Sequence, residues 1–233
     1  MSATTPTTQT QSPSPSSNTT TTNNPFPFPP EYSFPPFFTR QTNLTTQHAQ
    51  LTKWASLVLA YCRHHRIFKL SLSGTTGTTT ITTTTMTGGT AGEIDTSDLF
   101  YNKRINRRLS PADIRAVVNF LRKDGRAEYV NPSSSSSSSG GAAAAAEDGG
   151  GDLVWIYWRT PEEWAALVEA WVDGTGQKGS VLTLYELVEG DGTLGTEFHG
   201  LDQELLLKAL NVLVKRGKAQ VFGQEDSRGV KFF

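Results

Sequence analysis

Cysteine is almost missing from this chain. Cys62 stands alone among 233 residues, which excludes an intrachain disulfide and any zinc site built on cysteines. An excess of one charge sign is missing as well. The 21 Lys and Arg are matched by 22 Asp and Glu, so the surplus of cations that grips nucleic acid irrespective of its sequence is not there. No stretch approaches the roughly 20 apolar residues of a membrane-spanning helix, and the first residues show no basic start followed by an apolar run. A lone cysteine fits a reducing compartment. Together these gaps predict a soluble cytosolic protein.

What is present begins with three segments of biased composition. Residues 1–24 are a polar tail of Ser, Thr, Pro, Gln and Asn, residues 73–93 are rich in Thr and Gly, and residues 132–151 carry a run of seven serines and then five alanines. None offers a periodic apolar face, so the first reads as a disordered tail and the other two as loop insertions. About 165 residues remain, enough for two compact units.

Between the tail and the first of those units lies PFPFPPEYSFPPFFTRQ, Pro25–Gln41, with six prolines and six aromatics. Proline lacks the donor and clashes with the preceding turn, so an α-helix is excluded here. A plain disordered leader would be poor in aromatics. The segment is expected to be stiff and extended and to place its rings against something.

A duplication organises the rest. Trp54-Ala55-Ser56-Leu57-Val58-Leu59-Ala60-Tyr61 returns as Trp164-Ala165-Ala166-Leu167-Val168-Glu169-Ala170-Trp171, an offset of 110. Val118–Ala127 returns as Leu210–Ala219, an offset of 92, and the difference of 18 is close to the length of the Thr/Gly insertion between the two blocks of the first copy. Each copy opens with a helix at helical apolar spacing, about Thr45–Arg66 and then Pro161–Asp173. A middle element follows, Asp98–Ile105 and then Leu184–Val188. A third helix starts at Ser110-Pro111-Ala112-Asp113 in one copy and Asp202-Gln203-Glu204 in the other. It stops at Gly125 and Gly217. Two strands close each copy: Ala127–Val130 with Leu153–Trp158, and Ala219–Phe222 with Val230–Phe233. The fold class is therefore α+β, two tandem winged-helix domains of three helices plus a β-hairpin wing. Their expected spans are 42–158 and 159–233, after the tail at 1–24 and the Pro/aromatic segment at 25–41.

Winged helices invite a nucleic-acid reading, which the third helix decides. In the first copy Ile114, Val117, Val118 and Leu121 form the inward stripe and leave Arg115, Asn119 and Arg122 outside. The offset maps Arg115 onto Leu207 and Arg122 onto Val214, with Asn119 kept as Asn211, so both charged positions of the outer face turn apolar. Phosphates and base edges call for Arg, Lys, Asn or Gln there, whereas an apolar stripe suits a protein surface. A nucleic-acid-binding tandem winged helix stays as the alternative.

The search for chemistry finds no active site, cofactor site or metal site. Gly190-Asp191-Gly192-Thr193-Leu194-Gly195 fits G-x-G-x-x-G, but it follows a helix-like segment, and Asp191 puts negative charge where phosphate would lie. His64 and His65 are neighbours on a helix and point about 100° apart, which prevents joint chelation. His199 reads as a packed histidine and Cys62 as a buried one.

The blocks PPEYSFPPFFTRQ, KWASLVLAYCR, LFYN, EEWAALVEAW, TLYEL, EFHGLD and RGVKFF, in this order, resemble the vacuolar protein-sorting-associated protein 25 family, the small subunits of the ESCRT-II complex. The resemblance runs from Pro29 to Phe233 outside the insertions. It implies two winged-helix domains and a non-enzymatic role in endosomal, multivesicular-body sorting of ubiquitin-marked cargo. It also implies two copies of the chain as arms on two core ESCRT-II subunits, docked through N-terminal PPx[YF] motifs. Here those are Pro29, Pro30 and Tyr32, then Pro35, Pro36, Phe37 and Phe38. Arg107 is similar to a basic family position at the core contact. The second domain is implied to recruit an ESCRT-III subunit; the candidate contact, read from the change between the copies and not from the resemblance, is the outer face with the apolar Leu207 and Val214 and Asn211 between them. Such a chain would be cytoplasmic and reach the endosomal membrane only through its partners.

Overall fold

A computed structural model of the chain describes residues 25–72, 80–81, 94–95, 97–130, 151–223 and 228–233. The expected tail and most of both insertions lie outside these residues.

The first winged helix is built on α1 (Leu44–His64), which Asn43 caps by accepting from the backbone N–H groups of Thr45 and Thr46. After β1 (Lys69–Ser71), strands β2 (Thr80–Ile81) and β3 (Ile94–Asp95) pair antiparallel. The Thr/Gly-rich stretch is therefore not loop throughout. The middle element is shorter than expected. Helix α2 spans only Ser97–Phe100 and gives way to a hairpin of β4 (Tyr101–Asn102) and β5 (Arg107–Arg108). Asn102 breaks it, because its buried side chain accepts from the N–H groups of Arg104 and Ile105 and so closes the turn. Helix α3 (Pro111–Lys123) starts at its Ser110 cap and packs on α1. Strands β6 (Ala127–Tyr129) and β7 (Leu153–Ile156) complete a sheet of order β1-β7-β6.

The second winged helix repeats this order. Helix α4 (Pro161–Thr175) opens with a capping box between Thr160 and Glu163, which satisfies two donors of the helix start at once. Strand β8 (Val181–Thr183) leads into α5 (Leu184–Glu189), and α6 (Gln203–Lys215), capped by Asp202, packs on α4. Strands β9 (Ala219–Phe222) and β10 (Gly229–Phe232) finish the sheet β8-β10-β9. Gly125 and Gly217 take φ of 68° and 71° after α3 and α6, the left-handed conformation in which glycine pays no Cβ penalty. The sheets β1-β7-β6 and β8-β10-β9 each have three strands where a two-stranded wing was expected. The additional strands, Lys69–Ser71 and Val181–Thr183, are three residues long, too short to show a period of two.

The cores are distinct but share a wall. Val154 and Ile156 of β7 point into the first core, whereas Trp155, with Phe68 and Tyr157, packs into the second. This is why the sequence reads as an unbroken apolar run, LVWIYW: both faces of the strand are buried. Residues 68, 155 and 157 thus belong to the second core although they precede the expected boundary at 158. Lys69 and Lys208 stand over the Trp155 ring at 4.4 Å and 5.2 Å from its centroid. Arg126 meets Glu163 through two bonds of 2.9 and 3.2 Å.

Candidate functional site

The Pro/aromatic segment is neither extended nor free. It forms two consecutive 3-10 turns, Pro30–Ser33 and Pro35–Phe38, each with proline in its opening positions. Proline fits there because its fixed φ suits the turn, and the N–H it lacks would find no partner within the first turn. The segment is thus folded into compact turns and not drawn out along its length. Tyr32, Phe37 and Phe38 are 5%, 6% and 5% exposed and belong to the core of the first domain. The Phe37 ring lies flat on the Trp54 indole, and Phe38 meets the same indole edge-on. In the chain by itself these three rings pack on its own core.

Hydrogen bonds fasten the turns. Gln50 Nε2 donates to the carbonyls of Phe37 and Thr39 at 2.7 and 2.9 Å, and Trp54 Nε1 donates to the carbonyl of Phe37 at 2.9 Å. Asn102 Nδ2 donates to the carbonyl of Tyr32 at 2.7 Å. The Tyr32 hydroxyl donates to the backbone carbonyl of Asp98, and burial together with the Asp98 charge holds its pKa well above the ordinary phenol value. Lys53 and Glu31 form an ion pair at 2.8 Å across the groove edge, a bond that lowers the Glu31 pKa.

What the segment offers outward is different. Pro30, Pro35 and Pro36 are exposed, Pro29 is half-buried, and Phe34 is 60% exposed. Phe34 and Pro36 stand at a groove of about 220 Å³ whose far wall is α1, through Ala49, Gln50 and Lys53. Strand β5, which carries Arg107, packs beside the turn Pro35–Phe38. Arg107 is exposed and makes no ion pair among the described residues. The α1 side of the groove and the exposed Phe34 were missed in the sequence, where the motif spacing singled out Tyr32, Phe37 and Phe38.

The candidates on α6 are not one surface. Asn211 is exposed and Val214 is 39% exposed, but Leu207 is half-buried against the second core. Lys208 on the same helix turns toward the first domain, bonding Glu128 at 2.7 Å and the Tyr157 hydroxyl at 2.8 Å. The helix that would read DNA in a winged helix therefore spends its central cation on contacts within the chain.

The remaining motifs are structural. A Cβ at Gly190 would stand 2.3 Å from the carbonyl oxygen of Glu186, so the first glycine of the G-x-G-x-x-G stretch is required by the end of α5. His199 Nδ1 lies 3.0 Å from the Thr193 hydroxyl, and Cys62 is fully buried.

Comparison with known proteins places this arrangement. A model of the ESCRT-II complex subunit family matches residues 31–202. The human vacuolar protein-sorting-associated protein 25 is 39% identical over 203 residues, covering 87% of this chain and 95% of the relative. Its Dictyostelium discoideum counterpart is 40% identical, covering 88% and 94%. Among solved structures, the VPS25 subunit of the endosomal trafficking complex ESCRT-II superposes with a TM-score of 0.65 at 27% identity, covering 87% of this chain and 97% of that one. A chain of the ESCRT-II complex VPS22/VPS25/VPS36 gives 0.66 at 29%, covering 88% and 98%. The family model runs from the first aromatic turn to the Asp202 cap of α6, and the chain belongs to the family of ESCRT-II complex subunits.

Proposed function

We propose that this chain is the small subunit of an ESCRT-II complex and acts, without catalysis, in endosomal protein sorting. The carrying observation is the face of the first domain on which the turn Pro35–Phe38 lies beside β5 and Arg107. Exposed proline rings, the exposed Phe34 and the exposed Arg107 thus lie on neighbouring elements. That is the composition of a protein-binding surface, an apolar centre with arginine at its edge. The matched chain in the solved complex assembles with VPS22 and VPS36, and the corresponding core subunits are the partners this face would meet, with two copies of the chain per complex. The buried Tyr32, Phe37 and Phe38 brace the surface from behind, while Phe34, Pro30, Pro35, Pro36 and Arg107 make the contact. The second domain would engage an ESCRT-III subunit, with Asn211 and Val214 as the exposed part of that contact and Leu207 supporting them. Among the described residues no helix is long and apolar enough to cross a membrane, and endosomal recruitment would come through the partners.

Co-expression with the two core subunits, followed by size-exclusion chromatography with light scattering, tests the reading. The intact chain should co-elute with them, and the pair Phe34→Ala, Arg107→Glu should weaken co-elution while leaving circular dichroism unchanged. No co-elution of the intact chain would sink the assignment. Unchanged co-elution of the variant would sink this surface but not the assignment. For the second domain, aspartate at Asn211 and Val214 should abolish capture of the ESCRT-III subunit; undiminished capture by a folded variant would remove α6 from the contact.

A further inference from the structure

Helix α3 is preceded by Arg107-Arg108-Leu109-Ser110-Pro111. Five Ser/Thr-Pro pairs occur in the chain, at Thr5, Ser12, Ser14, Ser110 and Thr160, and only Ser110 has arginine three residues before it. Proline after the acceptor and arginine three before it are the two features that an arginine-preferring, proline-directed protein kinase reads. The residues up to the acceptor are extended, while Leu109 between them is buried and Pro111 opens α3. Arg107 and Arg108 are the strand β5, Ser110 is extended with φ −67° and ψ 150°, and Arg107, Arg108, Ser110 and Pro111 are all exposed. Thr160, the other Ser/Thr-Pro cap among the described residues, is half-buried and has Tyr157 at the arginine position.

The repeat shows that this cap accommodates an anion. The offset of 92 places Ser110 on Asp202. Asp202 Oδ1 accepts from the N–H groups of Glu204 and Leu205 at 2.9 and 3.4 Å, and its other oxygen pairs with Lys69 at 3.3 Å. At the first copy the same place holds a neutral hydroxyl, which accepts from Asp113 N–H at 3.1 Å and donates to Asp113 Oδ2 at 2.5 Å. Three residues before it in the chain stands Arg107, which makes no ion pair among the described residues.

We propose that Ser110 is a phosphorylation site for an arginine-preferring, proline-directed kinase, and that the phosphate turns the first domain's cationic face off. In the transfer Ser110 Oγ attacks the γ-phosphorus of ATP. The bond from that phosphorus to the β,γ-bridging oxygen breaks, ADP leaves, and the hydroxyl proton passes to the kinase's base. The product carries close to two negative charges at the helix start, where the backbone donors and dipole favour them. The Asp113 carboxylate loses the hydroxyl donor and is repelled outward. Arg107 and Arg108 are drawn to the phosphate, and the charge that Arg107 offers a partner is cancelled. The last step rests on the surface assigned under the proposed function; the modification itself does not.

The full chain is incubated with ATP, Mg²⁺ and a purified kinase of this class, and sites are located by mass spectrometry. Phosphate should appear at Ser110 and vanish in Ser110→Ala. Arg107→Ala should slow it about tenfold, the worth of one charge-assisted contact of about 1.4 kcal/mol. Absence of phosphate at Ser110 while Ser12 or Ser14 is modified overturns the site. So does complete absence when a free peptide of residues 105–115 is modified by the same enzyme, or modification of Ser110 at an undiminished rate in Arg107→Ala. Phosphorylated chain is then compared with unmodified chain for co-elution with the core subunits. Equal co-elution, with Arg107→Glu impaired, would overturn the switch and leave the surface standing; equal co-elution of all three would overturn the surface as well.

Discussion

The Phe37 ring lies on the Trp54 indole with centroids 4.4 Å apart and planes 6° from parallel, and the same indole donates its N–H to the carbonyl of Phe37 at 2.9 Å. One residue is thus held twice, by its side chain and by its backbone, so the aromatic turn is part of the first domain's core.

Phe37→Ala is therefore a stability variant first. Removing a buried phenylalanine typically costs about 3–5 kcal/mol, and the Trp54 ring would lose its stacking partner. Urea unfolding followed by tryptophan fluorescence should show a clear fall in midpoint. Phe34→Ala, at a ring 60% exposed, should stay within about 0.5 kcal/mol of the parent. Equal effects of the two would mean that the segment is not anchored as described.

This contrast also marks what was legible in the sequence. The helices, their caps at Ser110 and Asp202 and the glycine stops at Gly125 and Gly217 could be read because each rests on local chemistry. Which aromatics of Pro25–Gln41 point inward could not, because proline fixes the turns while the direction of each ring depends on Trp54, Gln50 and Asn102, far along the chain. The shared wall at Trp155 was hidden for a related reason. A run such as LVWIYW announces burial on both faces without saying what covers the second.

That shared wall predicts coupled unfolding. Phe68, Trp155 and Tyr157 come from the first domain's sheet region but are buried in the second core, so neither domain can open without exposing the other. Scanning calorimetry of the intact chain should give one transition. Trp155→Ala removes the ring between Lys69 and Lys208 and should split it into two. A single transition in the variant would show that the polar links, Arg126 to Glu163 and Lys208 to Glu128, suffice for coupling.

Glu197 gives the interface a pH dependence. Its carboxylate accepts from Arg159 and Arg63, and Arg66 donates to its backbone carbonyl. The Arg159 bond above all holds its pKa below the usual carboxylate value. A depressed carboxyl stabilises the fold above the unfolded-state pKa, about 4.3, and that contribution is lost as pH falls through the lower folded value. The group is partly exposed, so the effect is screened and modest. Glu197→Gln should lower the melting temperature at neutral pH, with the gap to the parent closing in acid. A gap that persists at low pH would mean the variant acts by packing and not by charge.

Cys62 offers a direct clock for opening of the first core. The thiol is fully buried on α1 between Tyr61 and Arg63, and burial pushes its pKa up to about 12. Only the thiolate attacks a disulfide reagent, so in the native state both access and ionisation are withheld. A disulfide dye at mildly alkaline pH should react no faster than the domain unfolds. Phe37→Ala should then speed labelling by the same free energy that it removes from the urea midpoint, provided the core closes again faster than the dye reacts. Phe34→Ala should leave the rate unchanged. Fast labelling of the parent would mean that α1 detaches locally from the sheet without global unfolding, and the aromatic turn laid across it would have to be counted as a clasp that opens on its own.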